Sequence, residues 1–302
     1  MTFVIRAPAT TANLGPGFDC LGLALDIWNE VEVSARGDAL HIEIQGIGAE
    51  TLPATSDNAI YRAMQCYAEL HNKTLPAGLN LKCLNRIPLG SGLGSSSAAA
   101  VTGILAASAV LGIPTNLDDQ ILCACQLEGH PDNIAPCLLG GFVASFVEPG
   151  QIVARKLPIA DLNLIIVHPA FDFPTCTARK ALPKEVPYCD AVFNASHAIL
   201  VAEALRNGDF DLLKLGMQDR LHQPYRLPLI PGAETAIEAA KKAGAVAVVL
   251  SGAGPSLLAI SPDKSYNSAI AGAMETAFSR VGLVSQTFFP KISQSGAACI
   301  TK

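Results

Sequence analysis

Residues Ile87–Ala100 read IPLGSGLGSSSAAA, a glycine-rich loop that runs directly into three serines and an alanine-rich segment. The glycines permit tight turns and the close approach of a ligand, because no side chain stands in the way. The serines supply helix-capping hydroxyls at the start of a predicted helix, Ser95–Leu111. Unpaired N–H groups and the helix dipole at that end favour an anion. The stretch is therefore typical of a phosphate site, although on its own a turn that caps a small-residue helix explains it equally well.

Two common nucleotide motifs do not account for this loop. The Walker pattern G-x-x-x-x-G-K-[ST] requires a lysine and a spacing that are absent from it. The dinucleotide fingerprint G-x-G-x-x-G requires a third glycine, which GSGLGS lacks. The loop therefore indicates neither a Walker nucleotide-binding protein nor a dinucleotide-binding domain.

The composition indicates a folded protein with a large core. The chain has 302 residues, of which 50% are hydrophobic and 16% are charged, and this length favours two domains. The net charge of -5 argues against a general nucleic-acid or membrane-surface binder, so backbone groups and a few placed cations must hold any anionic ligand. We expect no signal peptide, because MTFVIRAPATTANLG has no apolar core, and no segment long enough to cross a membrane.

The cysteine pattern favours free thiols. The nine cysteines are odd in number, scattered and mostly embedded in apolar segments. Cys123 and Cys125 form a C-x-C pair without a second ligand pair at zinc spacing. We therefore expect reduced thiols in a cytoplasmic protein.

Apolar periodicity predicts an alternation of strands and helices that is typical of an α+β protein. In the first half we predict strands and a hairpin at Phe3–Ala7, Glu30–Ala35, His41–Gln45, Leu79–Leu84, Gly141–Val147 and Ile152–Leu157, and further helices at Asp57–Leu70 and Leu117–Leu127. In the second half the predicted strand segments are Leu162–Val167, Val246–Leu250, Ser256–Ile260 and Val281–Phe289, and the helices are Tyr188–Arg206, Asp209–Leu215, 233–243 and Ser265–Ser279. We place the domain boundary between Pro149 and Asp161, which gives domains of residues 1–155 and 156–302.

Two further segments of the first half carry polar side chains suited to a site. Ala7–Gly22 contains Asn13 and Asp19 among residues that also form ordinary turns. Residues 128–133, EGHPDN, combine a carboxylate, an imidazole and an amide within six positions. Glu128 suits magnesium, a hard cation that prefers oxygen ligands. A solvated loop, or Asp132 as a helix cap, explains the second segment as well.

Three segments of the second half complete the set. Phe173–Pro183 contains Arg179 beside a lysine, and a solvated pair explains that equally. Asp219–Pro231 places Arg226 between prolines, where a rigid guanidinium can grip a carboxylate bidentately. We interpret His222 in the same segment as a structural histidine. Ser251–Ser256, SGAGPS, is either a tight connection or a loop that packs against the phosphate loop from the other domain.

Together and in this order, these segments resemble the motifs of the galactokinase, homoserine kinase, mevalonate kinase and phosphomevalonate kinase superfamily. IPLGSGLGSSSAAA resembles its P-x-x-x-G-L-G-S-S-A phosphate loop, with Ser97 in the place of alanine. APATTANLGPGFDCLGLAL and SGAGPSLLAI resemble its first and third motifs. EGHPDNIAPCLLGG, TCTAR and LHQPYRLPLIPG resemble the homoserine kinase branch, apart from a compact turn between Glu128 and His130 that is longer in some relatives.

The resemblance implies a two-domain α+β fold. The first domain would be ribosomal-S5-like with a left-handed β-α-β unit, which is rare, and the second ferredoxin-like. ATP would bind between them, and Mg²⁺ would be held by Ser96 and Glu128. The residues implied at the nucleotide are Asn58, Pro88, Leu89, Gly90, Ser91, Gly92, Leu93, Gly94, Ser95, Ser96 and Ser97. Those implied at the substrate are Asn13, Asp19, His130, Asn133, Thr175, Arg179 and Arg226.

The implied reaction is phosphorylation of L-homoserine by ATP to O-phospho-L-homoserine, a step towards threonine. The arginines would complement the substrate carboxylate and Asp19 its ammonium group. Asn133, Glu128 and Ser96 are the implied catalytic residues. Asn133 takes the place of an aspartate that lies beside the acceptor hydroxyl in the mevalonate branch, with Asp132 adjacent, so no general base is assigned. We expect direct transfer, with the hydroxyl proton leaving to a phosphate oxygen or to solvent.

Two other functions and the assembly stay open at this point. The chain could phosphorylate another small alcohol such as mevalonate or shikimate, or it could be a ligand sensor without kinase activity. No nucleic-acid or membrane partner is expected, and a homodimer is possible.

Overall fold

The computed structural model describes residues 1–301 and contains two β-sheets with helices packed against them. The elements of the first half are β1 (Thr2–Ala12), β2 (Leu21–Ser34), β3 (Leu40–Gly46), α1 (Ala59–Leu70), β4 (Leu79–Asn85), α2 (Ser95–Leu111), α3 (Leu117–Glu128), α4 (Ile134–Leu139), β5 (Phe142–Glu148) and β6 (Gln151–Leu157). Those of the second half are β7 (Asn163–Pro169), α5 (Thr175–Lys180), α6 (Tyr188–Asn207), α7 (Phe210–Gly216), α8 (Gln223–Arg226), α9 (Ala233–Lys242), β8 (Ala247–Leu250), β9 (Leu257–Ser261), α10 (Asn267–Ser279), β10 (Ser285–Phe288) and β11 (Ala298–Thr301).

The first sheet contains seven strands, with the order β11-β1-β2-β4-β3 and with β5 and β6 attached to β2. All pairs are antiparallel except β3 and β4, which α1 connects as a β-α-β unit. The hand of that unit stays a prediction. Helix α2 is apolar on all sides and lies in the core, as expected for a buried helix. A side chain at Gly103 of α2 would place its Cβ 2.2 Å from the carbonyl oxygen of Ile60, so glycine permits the close packing of α1 on α2.

The second sheet has the order β10-β7-β9-β8 and is antiparallel throughout. Numbered within this half, the order is 4-1-3-2, with α9 before the second strand and α10 before the fourth, which is the ferredoxin-like arrangement. Apolar residues of the sheet such as Ile165 and Leu250 pack with Ala236 and Phe278 of these helices. The α+β class expected from the sequence is confirmed.

Most predicted elements are present, and the main errors concern β1 and β2. Both strands are much longer than Phe3–Ala7 and Glu30–Ala35, and a register shift lies between Pro8 and Ala9. The extra residues 8–12 of β1 and 21–25 of β2 are buried on both faces, so they lack the alternation that indicates a strand. The prediction also missed β11, which returns to pair with β1. The boundary at residue 155 stays a prediction.

Candidate active site

The phosphate loop needs glycine at specific positions. Gly90, Gly92 and Gly94 have φ values of 59°, 76° and 69°, in the left-handed region. A Cβ at Gly92 would lie 2.1 Å from the carbonyl oxygen of Ser251, and one at Gly94 would lie 2.0 Å from Thr10 Oγ1. Two of the three glycines are therefore required by contact as well as by backbone conformation.

Contacts from both halves of the chain hold the loop in place. The Thr10 amide donates to the carbonyl of Leu93 (3.1 Å), and the Ser256 amide donates to the carbonyl of Ser91 (3.3 Å). Ser251 Oγ lies 2.8 Å from the carbonyl oxygen of Gly92. The expectation that Ser251–Ser256 packs against the phosphate loop is confirmed.

Two cavities flank the start of α2 and share Gly90, Ser95 and Ser96. The first, of about 280 Å³, is lined mainly by polar and charged residues, including Asp19 and Arg226. The second, of about 210 Å³, is more apolar and lies between α1, α2 and β4. The N–H groups of the first turn of α2 therefore lie at the junction of a polar and an apolar cavity, and this arrangement suits a phosphate chain between them.

Ser96 and Glu128 meet across the mouth of the polar cavity. Glu128 is the last residue of α3, and Gly129 ends that helix with φ 87°. Ser96 Oγ donates to Glu128 Oε1 at 2.5 Å, and Ser97 Oγ donates to Oε2 at 3.2 Å. The structure thus places one carboxylate and two hydroxyls, all hard oxygen donors, beside the helix terminus that favours phosphate.

Asp19 and Arg179 form a bidentate ion pair across the polar cavity. Arg179 donates to both carboxylate oxygens of Asp19, at 2.8 and 3.0 Å. Asp19 has φ 54°, and its amide donates to Asn13 Oδ1, which fixes the turn that carries it. The sequence-based assignment gave these two residues to opposite ends of a substrate, whereas the structure pairs them with each other.

Arg226 is a buried cation, 2% exposed, on the wall of the same cavity. Its Nε donates to the carbonyl of Ala178 (3.3 Å), and its guanidinium lies 5.1 Å from the ring centroid of Phe18. Burial and the charge of Arg179 lower its pKa to about 10. Within residues 1–301 it makes no ion pair with a carboxylate, so the cavity presents a positive charge that an anionic ligand would neutralise.

The EGHPDN turn supplies a second charged pair. His130 Nδ1 lies 2.5 Å from Asp132 Oδ1, and Asp132 is only 2% exposed. Burial alone would lower the pKa of His130, but the hydrogen bond and charge of Asp132 outweigh it and raise the pKa above its ordinary value. Asp132 is therefore engaged with the imidazole.

Asn133 is fixed by Thr10 of β1. Thr10 Oγ1 donates to Asn133 Oδ1 at 2.8 Å, and this leaves the amide N–H₂ of Asn133 as the group available to a ligand. Asn133 also lines the polar cavity and borders Gly94 of the phosphate loop. The amide is thus a hydrogen-bond donor placed between the loop and the cavity.

The structure gathers most of the predicted site residues around the polar cavity. Asn58 and Leu89 line the apolar cavity instead, and Asn58 also caps α1 through a hydrogen bond from the Ile60 amide. Pro88 and Leu93 line neither cavity. Their side chains are buried, and the Leu93 amide donates to Ser91 Oγ, so both support the loop from beneath.

Sequence reasoning missed residues that position the site. Phe18 lies under both arginines, and no spacing signal distinguished it from other turn residues. Gly252 accepts a hydrogen bond from the Asn13 side chain, a contact between segments far apart in sequence. His222 is fully buried and donates to the carbonyl of Gly15 through Nε2 (2.8 Å), which agrees with its interpretation as a structural histidine.

The fold and site define a class of small-molecule kinases. The family models for the GHMP kinases N terminal domain and the GHMP kinases C terminal domain match residues 58–141 and 201–280. The chain is 41% identical to a homoserine kinase of Carboxydothermus hydrogenoformans, over 97% of this chain and 95% of the relative. It is 44% identical to a homoserine kinase of Streptomyces coelicolor, over 93% of this chain and 92% of the relative.

Solved structures agree with these relatives. The crystal structure of homoserine kinase from Cytophaga hutchinsonii superposes with a TM-score of 0.87 at 32% identity, covering 99% of this chain and 97% of that one. A mevalonate kinase from L. major, in complex with R-mevalonate, shares the fold with a TM-score of 0.74 at 15% identity and 96% coverage of both chains. The chain belongs to the GHMP kinases and, within them, to the homoserine kinase family. No helix among residues 1–301 is long and apolar enough to cross a membrane.

Proposed function

We propose that the protein transfers the γ-phosphoryl group of ATP to the side-chain hydroxyl of L-homoserine. One observation carries this proposal: the start of α2 opens into a polar cavity that contains the buried, unpaired cation Arg226. A phosphate chain and a small acceptor that carries a carboxylate can thus meet at one place. The names of the relatives support homoserine as that acceptor.

ATP fits the two cavities by their chemistry. The apolar cavity, with Val31, Ala59 and Ala99 on its walls, suits the base and sugar of the nucleotide. The first turn of α2 and the loop before it suit the phosphates, because their N–H groups and the helix dipole favour negative charge. Asn58 lines this cavity, and its cap on α1 fixes the start of the helix that forms one wall of the proposed base site.

The donor set beside this loop fits Mg²⁺. Ser96 and Glu128 would hold the ion, since magnesium usually takes one or two carboxylates together with substrate phosphates. When bound, the ion neutralises charge on the transferred phosphoryl group.

Homoserine fits the charges of the polar cavity. Arg226 is placed to bind the carboxylate, because it is buried, lines the cavity and forms no salt bridge within residues 1–301, although Asp19, Asp132 and Asp219 lie near enough to favour its charge. Asp19 would bind the ammonium group while retaining Arg179, so that a zwitterion completes an alternating set of charges. An anionic alcohol without an ammonium group would bring no second cation to Asp19 besides Arg179.

The chain's own residues support direct transfer without a protein base. Asp132 is paired with His130, whose pKa is raised, and so it is not a free carboxylate at the acceptor. Asn133 presents its amide N–H₂, which donates to a developing negative charge and cannot accept a proton. We infer that the hydroxyl proton leaves to a phosphate oxygen or to solvent, since phosphoryl transfer depends mainly on positioning and charge.

A substrate comparison tests the proposal. ADP release is measured with L-homoserine, 4-hydroxybutanoate, mevalonate and shikimate, and without an acceptor. We expect kcat/KM to be highest for homoserine and about tenfold or more lower for 4-hydroxybutanoate, which lacks the ammonium group. Equal kcat/KM values for L-homoserine and 4-hydroxybutanoate would show that Asp19 does not recognise the ammonium group of the substrate. No ADP release with any acceptor would favour the ligand sensor instead.

A further inference from the structure

Two thiols touch between α1 and α3. Cys66 of α1 and Cys123 of α3 lie with their Sγ atoms 3.4 Å apart, although they are 57 residues apart in sequence. All nine cysteines are free thiols, and this is the one thiol pair in hydrogen-bonding contact among residues 1–301. Tertiary packing therefore places the two sulfurs in non-bonded contact, with no atom between them.

The environments of the two thiols differ. Cys123 is fully buried, and burial raises the pKa of its thiol well above the ordinary value. Cys66 is half-buried and thus more accessible to a small oxidant. An accessible thiol with a second thiol in contact with it is the arrangement in which oxidation of the first is followed by attack of the second.

We propose that Cys66 and Cys123 are a reversible oxidation site that cross-links α1 to α3 and lowers ATP binding. The oxidant is a peroxide. The Cys66 thiolate attacks a peroxide oxygen, the O–O bond breaks, and with hydrogen peroxide the products are a sulfenic acid and water. The Cys123 sulfur then attacks the Cys66 sulfur, the S–O bond breaks, and the thiol proton leaves with the hydroxyl as a second water.

The cross-link acts on the ATP site through the ends of both helices. α1 begins beside the apolar cavity at Asn58, and α3 ends at Glu128. Near these ends the helices flank a cavity of about 220 Å³ that Ala59, Leu127 and Glu128 line. A disulfide requires the sulfurs to approach from 3.4 Å to about 2.05 Å. That approach moves α3 relative to α1 and displaces the Glu128 carboxylate from the phosphate loop.

The full-length protein is reduced, freed of reductant and treated with hydrogen peroxide. Peptide mapping by mass spectrometry without reductant locates the linkage, and calorimetry measures ATP affinity with Mg²⁺. We expect a Cys66–Cys123 linked peptide and an ATP affinity lower by about tenfold, which is the usual effect of losing one charge-assisted contact. A reductant should restore the affinity. Neither the peptide mapping nor the ATP calorimetry requires an acceptor substrate. A negative result in these measurements can therefore be distinguished from a failure of the proposed homoserine kinase function.

Cys66→Ser is the control variant, because it removes one of the two thiols and introduces a small polar side chain at a half-buried position. The variant should bind ATP like the reduced protein both before and after peroxide. Cys189→Ser, which removes an exposed thiol, should respond to peroxide like the wild type. A linkage other than Cys66–Cys123, a linked protein with unchanged ATP affinity, or an equal loss in Cys66→Ser would each overturn the proposal.

Discussion

Replacing Arg226 by lysine keeps a cation but removes the planar guanidinium. If Arg226 binds the homoserine carboxylate, one charge-assisted hydrogen bond is lost, which costs about 1.5–3 kcal/mol, or roughly ten- to a hundredfold in affinity. The ATP affinity should change little, because Arg226 lies on the acceptor side of the cleft. The expected result is a raised KM for homoserine with a nearly unchanged KM for ATP.

The surroundings of Arg226 add a pH dependence to this variant. Burial and the charge of Arg179 lower the pKa of Arg226 from 12.5 to about 10. A lysine has a lower ordinary pKa of about 10.4, and the same burial and neighbouring charge lower it further towards neutrality. The lysine therefore loses its charge at a lower pH than the wild-type guanidinium does. The defect in homoserine binding should grow as the pH rises from 7 to 9.

Saturation kinetics for both substrates at pH 7, 8 and 9 test this prediction, with thermal unfolding to detect damage to the fold. Arg220→Lys is the matched control, since Arg220 lies in the same segment, stacks on Phe193 and pairs with Asp190 outside the polar cavity. It should leave both KM values unchanged. An unaltered homoserine KM in Arg226→Lys, or an equal rise in the KM values for homoserine and ATP, would show that Arg226 does not bind the homoserine carboxylate specifically.

Three further changes test other parts of the site. Gly94→Ala adds a Cβ that would lie 2.0 Å from Thr10 Oγ1 and should abolish tight ATP binding in calorimetry. The control is Gly112→Ala, where φ is 60° and the space around the residue is open; it should cost only about 1 kcal/mol of stability. Glu128→Gln should lower turnover strongly and weaken the magnesium dependence of ATP binding, and full activity with an unchanged magnesium requirement would contradict its role. The pKa of His130 is raised in the folded protein, so its ion pair with Asp132 stabilises the fold fully below about pH 6.5, the ordinary pKa of histidine. This stabilisation is lost as the pH rises through the raised pKa. His130→Gln should therefore lower Tm more at pH 6 than at pH 9.

The local structure around the candidate site was predictable in part, because each motif carries its own turn and capping residues. The glycines and the helix-start signals of Gly90–Ser97 are typical of an anion site, although on the loop's sequence alone a turn that caps a helix explains them equally well. The pairing of Asp19 with Arg179 was not predictable, since it joins residues 160 positions apart whose charges suit a substrate equally well. The burial of Arg226 depends on Phe18 and on a packed loop, which one sequence does not reveal.

The extra length of β1 and β2 was hidden for a different reason. The C-terminal end of β1 and the N-terminal end of β2 are buried on two faces, and uniform burial removes the period-two pattern. The return of β11 to β1 depends on a long-range pairing of a short, exposed strand. The buried strands β8 and β9 were predicted all the same, because each is a short apolar run bounded by turn residues.

The fate of the γ-phosphoryl group tests the proposed reaction directly. ATP labelled in the γ-phosphate is incubated with the protein, Mg²⁺ and L-homoserine, and the products are separated and identified. We expect the label in O-phospho-L-homoserine, one equivalent for each ADP formed. Label released only as inorganic phosphate, at the same rate with and without homoserine, would contradict the claim that the polar cavity holds the acceptor.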